Sequence, residues 1–217
     1  MQPEARSIRE TRFAAIDFES AGAARGDTDT PIQIGIAVME QGEISHTTFL
    51  RSYLQTDKPI VWSAQKVHGI TSESLTDAPT LLSLWPDIRD RMKGNWIVAH
   101  SAGTEKRFLR TFPLHGFGPW LDTLHITRAL FPDLKTYDLS SLANHFGLEE
   151  RVRTLCPEQQ WHDALFDSVA ALVLLQHLCN EADLWESPCD LLTSPRLDSY
   201  YRNQAKKKFT QKAPDSF

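Results

Sequence analysis

Segments with the composition of buried strands alternate with helix-forming segments from residue 12 to residue 182. That order restricts the chain to an α/β arrangement, with helices packed over a sheet. Residues 12–18 read as a first strand, and "PIQIGIAVME" (31–40) as a second, after a loop rich in Gly, Ala, Asp and Thr. "EISHTTFLRSY" (43–53) alternates apolar and polar residues and reads as a third strand. The short "EQGE" between them suits a hairpin, so the second and third strands are expected to be antiparallel.

Residues 59–91 look helical in short pieces, the longest at 80–92, with Thr80 as a candidate cap and Pro86 interrupting the run. "NWIVAH" (95–100) reads as a buried strand and 103–112 as a short amphipathic helix. Residues 119–132 read as a short strand entering a helix that stops before Pro132. A further helix is capped by Asp138 and ended by Gly147, and 162–182 is the strongest helix of the chain. The expectation is one α/β domain at 10–183 and an extension at 184–217 that carries a basic run from Tyr200 to Lys212, helical near 197–205.

Composition narrows the function classes. The net charge of −5 disfavours a polyanion binder that works through bulk charge. It leaves room for an enzyme that meets phosphate locally, through metal ions and helix N-termini. No apolar run approaches the ~18 residues of a membrane span, and residues 1–12 lack the apolar segment of a secretory signal. Cys156, Cys179 and Cys189 are odd in number and have no CxxC spacing, so they read as reduced thiols of a cytoplasmic protein.

The first strand, "FAAIDFES", ends in an unusual way. Phe13, Ala14, Ala15, Ile16 and Phe18 suit a buried strand, whereas an ionised carboxylate in an apolar setting is costly unless paired or metal-bound. Asp17 and Glu19, two residues apart, project from one face at the C-terminal end, where open α/β sheets place their sites. A divalent cation would relieve their repulsion. In "WHDALFDSVAAL", Asp163 can cap the helix and leaves His162 just before it. Asp167 falls in line with Ala171, Leu174 and Leu178, a carboxylate on the packed face. In "AHSAGTE", a buried strand ends at His100, and Glu105 opens a helix.

Taken together, these stretches resemble the motifs of the DEDDh 3′–5′ exonucleases of the ribonuclease H-like superfamily, which includes the proofreading exonuclease domains of bacterial replicative polymerases. Asp17 and Glu19 match the family's Asp-x-Glu; "AHSAGTE" loosely matches its "AHNAxFD"; His162, Ala164 and Asp167 match its His-x-Ala-x-x-Asp. "VHGIT" (67–71), "WLDTL" (120–124) and "YDLSSLANHFGL" (137–148) are further similarities, in the right order over about residues 12–180. The chain departs from the pattern at Glu105, where the family has Asp, at Ser101 for Asn, at Thr104 for Phe, and at Phe18 for a frequent Thr.

The resemblance implies a ribonuclease H-like fold, with a central mixed five-stranded sheet flanked by helices. It also implies two divalent ions, Mg²⁺ or Mn²⁺, for which oxygen-only ligands are suited. Asp17 would bridge the ions, Glu19 and Asp167 would complete one shell, and Glu105 would act on the second ion through water. His162 would be the general base. The terminal nucleotide would lie against Phe18, Ser20, Ala21 and Gly22, with His68, His100 and Ser101 in the same cleft. His68 reads equally as a loop residue bonded to backbone, and Lys106 and Arg107 as phosphate contacts or solvated helix residues. The implied partner is nucleic acid with a free 3′ end, DNA before RNA, with a homodimer or a polymerase or repair partner as further expectations. The other readings are an exoribonuclease, and a nucleic-acid-binding or polymerase accessory module weakened at Glu105.

Overall fold

A computed structural model describes residues 6–23, 27–193 and Leu197. The basic run at 200–212 lies outside the described residues, as does most of the helix expected near 197–205.

Strand β1 (Phe13–Ser20) is central to the sheet. β2 (Pro31–Glu40) pairs with it antiparallel on one side. β5 (Trp96–Ala99) pairs with it parallel on the other, and β6 (Trp120–Asp122) lies parallel beyond β5. The far edge of β2 carries two short antiparallel strands, β3 (Glu43–Ile44) at Met39–Glu40 and β4 (Leu50–Tyr53) at Gln33–Ile36. The sheet is therefore mixed and six-stranded, five positions across, and the single third strand expected at 43–53 is two. The break has a local cause. The Thr48 hydroxyl accepts from the Val38 amide at 3.0 Å and donates to the Ser45 carbonyl at 2.7 Å, which closes a 3₁₀ turn at His46–Thr48 in place of ladder bonds.

Strand alternation divides the core in two. Phe13 and Ala15 pack beneath helix α7 (Ala164–Glu181), together with residues of α4 (Thr123–Leu130), α5 (Leu139–His145) and α6 (Glu149–Leu155). Ala14, Ile16 and Phe18 pack on the other face, against α2 (Trp85–Met92) and α3 (Gly103–Leu109). The same parity carries Asp17 and Glu19 to the α7 face. α1 (Trp62–His68) lies beyond the end of β1, with the Val61 amide on the Ala21 carbonyl at 2.8 Å.

α2 begins at Trp85 with Pro86 in its first turn, where a missing N–H costs nothing; residues 81–84 form turns instead of the helix expected from Thr80. α6 is a helix that the sequence pattern did not suggest. Residues 184–192 pack onto the α7 core through Leu184, Cys189 and Leu192, and residues 6–9 are tied to them by backbone bonds such as Ile8 to Ser187 at 2.9 Å. All three cysteines are free and buried, and burial pushes their thiols up to about 12. Among the described residues, no helix is long and apolar enough to cross a membrane.

Candidate active site

The N-terminus of α7 comes to rest on the C-terminal half of β1 and β2 because Gly35 leaves space for it. A Cβ on Gly35 would fall inside the backbone of Ala164 and Leu165. The Ser168 hydroxyl reaches back to the Gly35 carbonyl at 2.9 Å. This approach brings Asp167 onto the face that carries Asp17 and Glu19. Ligand atoms of Glu19, His162 and Asp167 all lie within 4.8 Å of one another. Asp17, His100, Ser101, Trp161, His162 and Asp167 line a cleft of about 590 Å³, and Arg128 and Lys135 are among its other lining residues.

Among the described residues, Asp17, Glu19, Glu105 and Asp167 make no ion pair. Asp167 Oδ1 and Glu105 Oε2 are buried without a hydrogen-bond partner, and Glu105 is 3% exposed. Burial pushes Glu19 up to about 8, with Asp167 and Asp163 adding to it. Burial likewise pushes Asp167 up to about 7, against a hydrogen bond from the His162 backbone. Glu105 is raised to about 7, again chiefly by burial. Asp17 is held well above the carboxylate range by burial and then by Asp167, Glu105 and Glu19. Orphaned buried oxygens and mutually repelling acids are what a hard divalent cation satisfies, so these residues fit one.

The expected base, His162, is exposed, and it adopts a left-handed backbone with φ 66° one residue before the α7 cap. The Asp163 carboxylate caps α7 through the Leu165 amide at 3.1 Å. His162 stands between the cleft and a second cavity of about 430 Å³, lined in part by Arg51, His68 and Arg153.

The residues expected to bind substrate are dispersed. Phe18 faces away, with its ring edge-on to Phe108 at 5.5 Å, so its side chain belongs to the α2/α3 core and not to the cleft. Ala21 is fully buried and Gly22, at φ 74°, is pressed on the Val61 side chain; both fix the chain beyond β1. Ser20 offers its carbonyl to His68 Nε2 at 3.1 Å, while His68 Nδ1 accepts from the Ile70 amide at 3.0 Å. Both ring nitrogens of His68 are thus bonded to backbone, which calls for the neutral ring, and burial lowers its pKa in the same sense. His100 lines the cleft with its nitrogens on Thr123 Oγ1 at 2.9 Å and the Tyr137 carbonyl at 2.7 Å. Ser101 sits at φ 69°, and the Asp122 carboxylate clamps its turn by accepting from the Ser101 and Ala102 amides at 2.9 and 3.0 Å. Of the two helix cations, Arg107 pairs with Asp29 at 3.3 Å and Lys106 lies 5.1 Å over the Trp120 ring.

Comparison with known proteins gives the family and the fold. The family model described as "Exonuclease" (RNase_T) matches residues 14–175. The chain is 26% identical over 183 residues to the DNA polymerase III PolC-type of Bacillus subtilis (strain 168), covering 82% of this chain and 12% of that protein. It is 26% identical over 147 residues to the 3′-5′ exonuclease DinG of the same organism, covering 65% of this chain and 16% of that one. The chain thus spans about an eighth of the first of these curated relatives. Among solved structures, Exonuclease X in complex with 5′ overhanging duplex DNA is 25% identical with a TM-score of 0.67, over 83% of this chain and 99% of that one. The nuclease domain of 3′hExo, a DEDDh family member bound to rAMP, shares the fold with a TM-score of 0.64 at 14% identity, over 81% of this chain and 95% of that one.

Proposed function

The chain belongs to the RNase_T exonuclease family, and from that premise we propose that it is a metal-dependent 3′–5′ exonuclease hydrolysing phosphodiester bonds at nucleic-acid 3′ ends. One observation carries the reading: two motifs far apart in sequence converge, with ligand atoms of Glu19 from the first strand and of His162 and Asp167 at the start of α7 all within 4.8 Å of one another.

Asp17, Glu19 and Asp167, with Glu105 through water, would hold two Mg²⁺ or Mn²⁺ ions. When bound, such ions stabilise charge on the attacking and leaving oxygens of an in-line displacement. The protein's own residues do the rest. His162 lines the cleft beside Glu19 and Asp167 and would take the proton of the attacking water. His100 and Asp122 brace the turn that presents Ser101 to the cleft. Arg128 and Lys135 put positive charge in the same cleft and could meet phosphates upstream of the scissile bond. Single-stranded DNA is the substrate we favour; Exonuclease X in complex with 5′ overhanging duplex DNA, at 25% identity, supports DNA over RNA. The PolC-type relatives support a polymerase or repair context as the setting.

The test is cleavage of 5′-labelled single-stranded DNA and RNA in Mn²⁺, in EDTA, and with Asp17→Ala. The expected result is a 3′-shortening ladder in Mn²⁺, absent from both controls and stronger on DNA. Binding to a 3′ end without cleavage under any metal would overturn the reading in favour of an accessory module.

A further inference from the structure

We propose that Arg51 is a positioning residue that sets His162 and Asp167 in register with Asp17 and Glu19, acting through the Asp163 carboxylate. The proposal rests on the exonuclease reading. Two rows of cross-strand neighbours run under the N-terminus of α7. Asp17 on β1 pairs with Gly35 on β2, which pairs with Arg51 on β4. Glu19 pairs in the same way with Gln33, and Gln33 with Tyr53. The acids of β1 and the residues that grip α7 are therefore fixed to one another by the sheet ladder.

The grip is a closed network. Arg51 Nε donates to Asp163 Oδ2 at 2.7 Å, and Gln33 Nε2 donates to the same oxygen at 2.8 Å. Gln33 Oε1 accepts from the Ala164 amide at 2.9 Å. Asp163 Oδ1 accepts from the Leu165 amide. The Asp163 side chain is 11% exposed and Arg51 is its ion-pair partner among the described residues, so removing that cation leaves an uncompensated charge. On either side of Asp163 stand His162, in the left-handed conformation, and Asp167, whose amide donates to the Asp163 carbonyl at 3.0 Å. Slack at Asp163 displaces both. Arg51 itself is bonded to the Tyr53 hydroxyl at 3.3 Å and stacked 5.1 Å over that ring, which fixes the guanidinium from behind. It also faces the second cavity beside His162, so the rival role is a direct phosphate contact.

The experiment compares the wild-type chain with Arg51→Met and Arg51→Lys. Steady-state cleavage of 5′-labelled single-stranded DNA in Mn²⁺ is measured well below each variant's Tm, alongside amide hydrogen exchange at residues 164–167. A misplacement near 1 Å costs on the order of 100-fold in rate. Arg51→Met should therefore lose about 10- to 100-fold in kcat with KM within about twofold, Arg51→Lys should recover much of it, and the Leu165 and Asp167 amides should exchange faster in Arg51→Met. A raised KM with kcat kept would make Arg51 a substrate ligand and overturn the proposal. Wild-type exchange at 164–167 in Arg51→Met would also overturn it. If wild type itself cleaves nothing, the exonuclease reading fails, while exchange still decides whether Arg51 holds the helix terminus.

Discussion

Gly35 lies directly across the β1–β2 ladder from Asp17, and the backbone of Ala164 fills the space that a side chain at 35 would take. Asp17 and the helix that brings Asp167 to it are thus separated by one glycine. Gly35→Ala should push α7 off the sheet, with an overpacking cost of about 1–3 kcal/mol. At about 2–4 °C per kcal/mol for a domain of this size, thermal melting should show a lower Tm. Cleavage should fall further than the unfolded fraction accounts for, because His162 and Asp167 move with the helix end. A variant with wild-type Tm and activity would show that the contact relaxes freely.

The acid cluster should make the metal-free protein less stable as pH rises. Burial raises Glu19 to about 8 and Glu105 and Asp167 to about 7, all above the ordinary carboxylate range of the unfolded chain. The folded state then binds more protons than the unfolded one between roughly pH 4 and pH 8. Stability from this cluster is greatest at the acid end of that window and is lost as pH rises through the folded values. In EDTA, Tm should fall from pH 5 to pH 8, and Mg²⁺ or Mn²⁺ should raise Tm more at pH 8 than at pH 5. Asp17→Asn should flatten the pH dependence and raise the metal-free Tm at pH 8. A metal-free Tm that climbs from pH 5 to 8 would contradict the cluster's strain.

His162→Ala separates base from ligand. His162 is exposed at the cleft while Asp167 and Glu19 are partly buried, so the acids keep their setting without the imidazole. Loss of a general base costs about 10²–10⁴-fold. Turnover should fall by that order with the Mn²⁺ half-saturation little changed, read by Mn²⁺ titration of melting temperature. A collapse of metal affinity would instead make His162 a ligand.

Most of the acid cluster was legible because its signals are local. The i, i+2 spacing of Asp17 and Glu19 and the cap at Asp163 are short-range patterns, and the structure places Asp17 and Glu19 on one face of β1. Phe18 shows the limit of reading by neighbourhood: it lies between the two acids in sequence, yet strand parity sends it to the opposite core. Gln33 and Arg51 left no local trace, since their bonds to Asp163 span 130 and 112 residues. α6 was missed because seven residues with only Val152 and Leu155 buried make too short a pattern to tell from a loop. His68 was ambiguous until the Ser20 carbonyl and Ile70 amide accounted for both its nitrogens.

Glu105 decides whether the longer acid can serve where the family carries Asp. Its carboxylate is 3% exposed, Oε2 has no partner, and burial raises it to about 7. An amide at this position imitates the protonated acid, so Glu105→Gln should fold at least as well as wild type in EDTA. Any loss of cleavage in that variant then reports on the carboxylate and not on folding. If Glu105 helps hold the second ion, Glu105→Gln should lose at least about tenfold in turnover and need more Mn²⁺ for half-saturation. Glu105→Asp keeps the charge on a side chain one methylene shorter and should stay within about tenfold of wild type. Full activity in Glu105→Gln would remove Glu105 from the metal site and leave Asp17, Glu19 and Asp167 to hold the ions alone.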